Sequence, residues 1–511
     1  MGFRKILFFV GLLVGVINAQ GAVFTVRCNG ELVSVKEQND VPLEYGLSTY
    51  KYTELTYMGQ QLNMEVETDF PFGDSDWSIS PDSYGIKGTK IGNKLSFVVD
   101  RTGYVVLFFS QNQDFTKRLL LFVELPEQLP EGNVVDITRE YCVDNTGCKN
   151  ETAHIQKALN DNAGTDNILY FPAGVYKSFG LRIPSHSRIH LAQNARIIAD
   201  PSSMESYLNN DKSGANRFIY IKDAEDIRVT GRGGFDGNGT WFRGVFDPNE
   251  SNGKGAMRIL FIVNSRDIVF DGILLKDPSR WNTQMVGSEN ISFTRCKMMN
   301  NPNPSKDLSN FDGWDPDASQ HIRIIDCFGW AGDDNVAIKC VGTGSPKVIK
   351  DVDDIEVRGN VFLTKKSSLK IGTETRCGNI TRVVFEDNDV VESDRAIAID
   401  VQDQAVVNGV LYKNNRVEYN YPDSQKRGIN INLKKRNSTQ AEIGKILNVR
   451  IEDCLFKKAF PNKFKIVRDA TLTVSSDVQI TFKNLTVEGK KVTNLSSVYF
   501  DSSCNGTVVF E

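Results

Sequence analysis

Short runs in which apolar and polar positions alternate dominate the first part of the chain. Residues 62–66 (Leu-Asn-Met-Glu-Val) and 95–99 (Leu-Ser-Phe-Val-Val) are examples, and Gly and Asp turns separate such runs. Alternation over so few residues is typical of strands that bury one face. The pattern predicts an N-terminal β-sandwich domain over residues 20–125.

Residues 126–133 differ in composition from the runs on either side. Pro126, Pro130 and Gly132 break both helix and sheet. We therefore predict a linker at this point in the chain.

Beyond the linker, a polar residue followed by alternating apolar positions recurs. These repeats begin at Asp226, Asp267, Asn290, His321, Asp354, Asn448 and Asp477. The interval between consecutive coils is about 23 to 33 residues, which is typical of a solenoid. Neither the four strands per repeat of a propeller nor the Leu/Asn consensus of a leucine-rich repeat is present. The repeats predict an all-β fold, a right-handed parallel β-helix over residues 134–511.

The amino end has the features of a secretory signal peptide. Arg4 and Lys5 precede an apolar run over residues 6–16, and Ala19 offers a small residue at the cleavage point. The run is too short to span a bilayer. We expect residues 1–19 to be removed from a secreted, extracellular protein. Nine Asn-X-Ser/Thr triplets fit a glycoprotein, although the Asn-rich turns of a β-helix also produce such triplets by chance.

The formal net charge of −4 is small for 511 residues. Bulk electrostatics therefore recruits neither nucleic acid nor an anionic membrane, and we expect a monomer. In an oxidising compartment Cys142 could pair with Cys148, and Cys327 with Cys340. The count of nine cysteines leaves at least one unpaired, and the connectivity cannot be read from the sequence.

Three aspartates have a spacing that suits catalysis. Asp312 precedes the pair Asp333 and Asp334 by about 21 residues, or one coil of a β-helix. Strands on successive coils stack about 4.8 Å apart, so these carboxylates can face one groove. An inverting glycosidase needs one acid to protonate the leaving oxygen and one base to activate water. Solenoid corners also use Asp to cap turns, which is the structural alternative.

The sequence motifs around these aspartates resemble those of glycoside hydrolase family 28, the polygalacturonase family. Residues 310–313, Asn-Phe-Asp-Gly, resemble its Asn-Thr-Asp-Gly, and residues 332–339, Gly-Asp-Asp-Asn-Val-Ala-Ile-Lys, resemble its Gly-Asp-Asp-Cys-Val-Ala-Ile-Lys. Similar words at residues 153–159, 170–176 and 229–239 extend the likeness. The resemblance implies a β-helical hydrolase in which Asp333 is the general acid while Asp312 and Asp334 together activate water. That chemistry requires no metal or organic cofactor.

Two departures from the family bear on the substrate. Ser367 stands where the family has a histidine, and Ala398 and Asp400 stand where it has the Arg and Lys that hold a galacturonate carboxylate. An Asp facing a uronate adds like-charge repulsion. We therefore expect a polysaccharide other than unmodified polygalacturonate, either neutral or with its anionic group elsewhere.

Four residues near the aspartates are candidates for substrate binding. Trp314 could stack on a sugar ring, although core packing is the commoner fate of a tryptophan. Trp281 and Trp330 are weaker candidates of the same kind. Lys370, Arg376 and Arg395 could supply a basic clamp in place of the missing one.

Other functions remain open at this point. The first is a hydrolase similar to the family 49 dextranases, which share the clan and the three aspartates but lack the histidine and the basic tripeptide. Asp312, Asp315 and Asp317 could instead hold calcium, as in β-helical polysaccharide lyases. A third possibility is a non-catalytic β-helix that binds polysaccharide or builds an extracellular matrix.

Overall fold

The computed structural model describes twelve stretches of the chain. They are residues 23–37, 51–110, 115–200, 216–242, 257–300, 310–343, 347–420, 427–437, 439–440, 442–469, 471 and 477–511. The predicted signal peptide, residues 1–19, lies outside the described residues. Among the helices that the structure describes, none is long and apolar enough to cross a membrane.

Two five-stranded sheets form the first part of the fold. The strand order of one sheet is Glu31–Val33, Phe24–Cys28, Leu62–Thr68, Lys94–Val99 and Gly88–Ile91. The order of the other is Lys36–Glu37, Lys51–Thr56, Arg118–Glu124, Gly103–Phe108 and Ser78–Ser80. Leu62, Met64 and Val66 alternate with more exposed residues and enter a shared apolar core. The predicted β-sandwich is confirmed.

Three long sheets with parallel strands, named I, II and III here, form the rest. Sheet I contains Asn133–Asp136, Asn167–Phe171, Arg188–Leu191, Glu225–Gly231, Arg266–Asp271, Glu289–Thr294, Gln320–Ile325, Val352–Arg358, Asn379–Glu386, Val406–Lys413, Lys445–Glu452, Val478–Lys483 and Thr507–Phe510. Sheet II contains Thr146–Asn150, Gly174–Ser178, Ala195–Ala199, Gly234–Asp236, Leu274–Lys276, Lys297–Met299, Phe328–Ala331, Val361–Thr364, Asp389–Ser393, Arg416–Asn420, Leu455–Phe456, Thr486–Val487 and the antiparallel end strand Lys490–Lys491.

Sheet III contains Leu181–Arg182, Asn216–Lys222, Met257–Val263, Thr283–Val286, Trp314–Asp317, Val336–Cys340, Ser367–Thr375, Arg395–Val401, Ile429–Leu433 and Lys465–Arg468. The described helices are short: Ile137–Glu140, Thr152–Asn162 and Gly239–Trp241, with single 3-10 turns at Asp82–Tyr84 and Phe115–Lys117. Each complete coil contributes one strand to each sheet in turn, whereas, among the described residues, the coils at the two ends lack a strand in sheet III. The coils stack in register apart from local shifts. The predicted right-handed parallel β-helix is confirmed.

The polar residue that opens each repeat has a backbone reason to be there. In six of the seven repeats this residue has a left-handed φ, between 50° and 56°. These residues are Asp226, Asp267, Asn290, His321, Asp354 and Asn448. Asn, Asp and His tolerate this conformation better than most side chains do. The residue that follows then turns inward: Ile227 and Ile322, for example, are fully buried.

A ladder of buried asparagines fixes the corner between sheets I and II. The Asn388 amide group donates to Asn415 Oδ1 at 2.9 Å and to the Val357 carbonyl at 2.9 Å. Its own Oδ1 accepts from Asn360 Nδ2 at 2.8 Å. Since all three asparagines are fully buried, each coil satisfies polar groups of the next one.

The sandwich packs against sheet II. Tyr104 and Phe122 contact Phe328 and Trp330 in an apolar cluster, and the Phe122 and Phe328 rings lie 5.2 Å apart. Trp330 is 1% exposed, so the interpretation of Trp330 as a sugar-binding residue is wrong. A buried side-chain pair reinforces the contact: Arg118 Nη1 donates to Glu392 Oε2 at 2.8 Å.

The expected disulfide pairs are also wrong. All nine cysteines are free thiols in this structure. Cys327 interacts with Cys296 on the neighbouring coil, and burial together with this contact raises the pKa of the Cys327 thiol. Cys340 interacts with Cys377, and this contact together with burial raises the pKa of the Cys340 thiol. In a solenoid the closest partner of a residue lies one coil away, whereas Cys327 and Cys340 occupy different sides of one coil.

Replacing Asn388 with Ala should lower the free energy of unfolding by about 2–4 kcal/mol, because amide and carbonyl groups on two neighbouring coils lose their buried partner. Urea denaturation measures this loss. Asn408, which accepts from Asn448 at the surface, supplies a matched control, and Asn408→Ala should cost about 0.5–1 kcal/mol. Equal losses in the two variants would contradict a structural role of the buried ladder.

Candidate active site

The three aspartates lie on neighbouring coils at the start of two strands of sheet III. Trp314 pairs with Val336 in the parallel ladder, and the Gly313 amide donates to the Asp334 carbonyl at 2.8 Å. Asp312 and Asp334 therefore lie side by side, one coil apart. Both are buried, at 3% and 2% exposed, whereas Asp333 keeps some exposure.

Local contacts explain why the motif Asn-Phe-Asp-Gly occurs at residues 310–313. The Asn310 amide donates to Asp333 Oδ2 at 2.7 Å, and the amide of Asp333 donates back to the Phe311 carbonyl at 3.2 Å. A side chain at Gly313 would lie 2.4 Å from the Asn335 carbonyl and even closer to Met298. Only glycine fits there, so residues 310–313 pack closely against the neighbouring coil that carries Asp333 and Asp334.

Cations hold Asp334 in its ionised form. Lys370 Nζ donates to Asp334 Oδ2 at 2.6 Å, and the Ser367 amide donates to Oδ1 at 2.9 Å. Burial alone raises the pKa of Asp334, but the charges of Lys370, Arg395 and Lys339 outweigh it. The pKa of Asp334 is held at about 2.

The adjacent Asp333 has the opposite character. Burial of its carboxyl group raises its pKa, and the negative charges of Asp312 and Asp334 raise it further, to about 7. Lys370 and the Asn310 amide oppose this rise without cancelling it. Two consecutive aspartates thus titrate far apart, which is the arrangement that acid–base catalysis needs.

Lys339 joins Asp312 to Asp315. Its Nζ donates to Asp312 Oδ2 and lies 3.1 Å from Asp315 Oδ1. Burial raises the pKa of Asp312 while Lys339 opposes the rise; burial raises the pKa of Asp315 much further. In the described part of the chain, no group of three or more His, Cys, Asp or Glu side chains could hold a metal ion.

The structure corrects one predicted substrate contact and qualifies the others. Trp314 is 0% exposed and packs between Phe293 and Phe362 in the core, so it cannot stack on a sugar. Arg376 donates to the Val341 carbonyl, and its Nε lies 3.8 Å from Asp403, away from the aspartates.

Lys370 and Arg395 do lie beside the aspartates, but each already has a partner. Lys370 is paired with Asp334, and Arg395 Nε donates to Ser367 Oγ at 2.9 Å. Ser367, in the position of the family's histidine, in turn donates its amide to Asp334. These two cations therefore act on the carboxylates rather than standing free in the groove.

Lys339, Arg258 and Arg280 lie near the site, and no role was predicted for these three residues from the sequence. Lys339 contacts two aspartates and lies 4.0 Å from the centre of the Trp281 ring, and Arg258 and Arg280 lie over the same ring. A signal was available: Arg258 interrupts an otherwise apolar strand, Met257–Val263, and pairs in register with Arg217 of the preceding coil.

Comparisons with known proteins agree with this geometry. The profile of Glycosyl hydrolases family 28 matches residues 180–504. An endo-polygalacturonase of Pectobacterium carotovorum subsp. carotovorum is 27% identical over 288 residues, which is 52% of this chain and 68% of the relative.

Two solved structures share the fold. The polygalacturonase from Erwinia carotovora ssp. carotovora aligns with a TM-score of 0.56 at 18% identity, over 76% of this chain and 97% of that one. The hyperthermoactive exopolygalacturonase from Thermotoga maritima aligns with a TM-score of 0.55 at 18% identity, over 71% and 89% respectively.

Proposed function

Because this chain belongs to glycosyl hydrolase family 28 and is a glycoside hydrolase, we propose that it is secreted and cleaves within a polysaccharide with inversion of the anomeric carbon. Asp333 is the general acid. Asp312 and Asp334 together hold and deprotonate the attacking water. Membership of the family sets aside the non-catalytic alternative, and nothing favours a dextranase-like one.

The observation that carries this assignment is the contrast between two neighbouring carboxyl groups. Asp333 has a pKa of about 7 and so keeps a transferable proton at mildly acidic pH, whereas Asp334, with a pKa of about 2, is an anion there. Asp312 lies one coil away and completes the pair of anions. Lys370 and Lys339 are positioning residues that keep these anions charged.

The substrate differs from unmodified polygalacturonate in this proposal. Ala398 is aligned with Lys370 and Asp400 with Gly372 in sheet III, so neither of these positions offers a cation to a uronate. Asp400 would instead repel one. The organisation of the mature chain belongs to the same proposal: a sandwich domain over residues 20–125, a linker over 126–133 and the β-helix over 134–511.

Replacing Asp333 with Asn should lower the turnover rate by about 10²–10⁴ on the best substrate, because the change removes the transferable proton while nearly preserving shape. A reducing-sugar assay on pectic, α-glucan and algal polysaccharides first finds that substrate, and circular dichroism checks folding. Asp387, a corner aspartate with a left-handed φ, supplies the control, and Asp387→Asn should stay near wild type. An Asp333→Asn protein that keeps more than about a tenth of the activity would refute the assignment.

The dependence of kcat/KM on pH should be bell-shaped. It should fall as pH rises through about 7, where Asp333 loses its proton, and fall in acid, where Asp312 and Asp334 become protonated. The charge of Lys370 lowers the pKa of all three carboxyl groups. Lys370→Met should therefore move both limbs to higher pH.

The matched control for the pH profile is Lys413→Met, a lysine on sheet I that pairs with Glu386. Its profile should coincide with that of the wild type. Limbs that stay in place in Lys370→Met, or that move to lower pH, would show that Lys370 does not set the charge of the site.

The first product should have the inverted anomeric configuration, because water enters opposite the leaving group. Proton NMR of the digest in its first minutes, before mutarotation, records the configuration. Retention would mean that one aspartate attacks the sugar directly and forms a covalent intermediate.

A further inference from the structure

Two arginines lie on the amino-terminal side of the catalytic aspartates along sheet III. Arg258 belongs to the strand Met257–Val263, and Arg280 precedes the next strand, Thr283–Val286. The strand that follows Asp312 stacks directly on Thr283–Val286. Both arginines are close enough to feel the charge of Asp315, and Arg280 also feels that of Asp312.

The two guanidinium groups are held by aromatic rings. Each lies 5.2 Å from the centre of the Trp281 ring, and Arg258 also lies 4.9 Å from that of Phe261. Lys339, which contacts Asp312, lies over the same indole. Cation–π contacts of this kind fix the direction of a guanidinium without using its N–H groups.

These N–H groups have no acceptor among the residues that the structure describes. Arg258 is 8% exposed, and neither it nor Arg280 forms a hydrogen bond or an ion pair with any described residue; the Nε of each is buried and unpaired. The two carboxylates whose charge acts on Arg258 face other groups, although neither carboxylate oxygen of Asp315 has a hydrogen-bond partner among the described residues. Asp315 faces Lys339, and Asp317 accepts from Gln284 and from the Val341 amide.

A buried guanidinium without an acceptor is unfavourable in the free protein. Burial and the charge of Arg280 lower the pKa of Arg258 to about 9, which records this cost. An anion that accepts hydrogen bonds from these guanidinium groups would remove the cost, since guanidinium matches carboxylate and sulfate oxygens in pairs.

We propose that Arg258 and Arg280, oriented by Trp281, form a subsite for the anionic group of a sugar unit of the substrate, a carboxylate or a sulfate ester. Its place next to the point of cleavage rests on the proposed function. This subsite would take the role of the basic clamp that is lost at Ala398 and Asp400. The charged sugar would then be recognised on the other side of the catalytic aspartates.

Binding to an inactive variant tests this directly. In the Asp333→Asn protein, titration calorimetry compares three ligands: galacturonate oligomers, their neutral methyl esters and sulfated galactose oligomers. We expect at least one acidic ligand to bind about tenfold or more tightly than the neutral one. Comparing the affinities of the two acidic ligands shows whether the subsite prefers a carboxylate or a sulfate.

Arg258→Met and Arg280→Met, each made in the Asp333→Asn protein, should remove this preference and leave binding of the neutral ester unchanged. Arg228→Met is the control, because Arg228 is an exposed arginine on sheet I, and it should keep the preference. Equal affinity for charged and neutral ligands, or a preference that survives in both variants, overturns the proposal.

Thermal unfolding of Arg258→Met without ligand separates binding from a structural role. An arginine waiting for an anion should leave the melting temperature unchanged or raise it when replaced by Met. A lowered melting temperature together with an unchanged ligand preference would mean that Arg258 only supports the fold. The charge preference of the Asp333→Asn protein is measured without turnover, so this test of the subsite remains valid even if no polysaccharide is hydrolysed. Hydrolysis without a charge preference would contradict the subsite but not the proposed function.

Discussion

In-register stacking of parallel strands is the constraint on which the rest of this structure depends. Each backbone group bonds to the coil above or below, so a residue meets its counterpart of the next coil at about 4.8 Å. Asn388 between Asn360 and Asn415 shows the rule in the core corner. Asp312 beside Asp334 shows it at the groove. Stability and catalysis thus draw on the same repeat.

Stacking also explains how two consecutive aspartates acquire opposite character. Asp334 lies just before the strand Val336–Cys340 and accepts from Lys370 of the next coil. Asp333, one residue earlier, accepts from the Asn310 amide and forms no ion pair with a described residue. The two carboxyl groups therefore have different closest partners, although the residues are neighbours in sequence. The charge of Lys370 still lowers the pKa of both, so a change at this lysine shifts the acid and the base together.

The repeated coils could be predicted from the sequence, whereas the inward or outward direction of individual side chains could not. The repeats beginning at residues such as Asp267 and His321 predicted the coils, because the left-handed corner demands polar residues of a few types. Trp314 was misread because a strand position faces in or out according to its register with neighbouring coils, and a shift of one residue reverses the answer. Here Trp314 has the inward phase of Val336. The pairing of Cys327 with Cys340 failed for a related reason, since the contacts of these two cysteines are set by coil-to-coil register and not by distance along the chain.

The cations around the aspartates have different roles, and these roles limit where a charged sugar can bind. Lys370 is already paired with Asp334. A substrate anion that took this ammonium would weaken the pairing and raise the pKa of Asp334, which would impair the activation of water that we assign to it. Arg258 and Arg280 carry no such duty in the described structure, because aromatic rings rather than carboxylates hold them. Recognition of an anion there can strengthen binding without breaking the ion pair between Lys370 and Asp334.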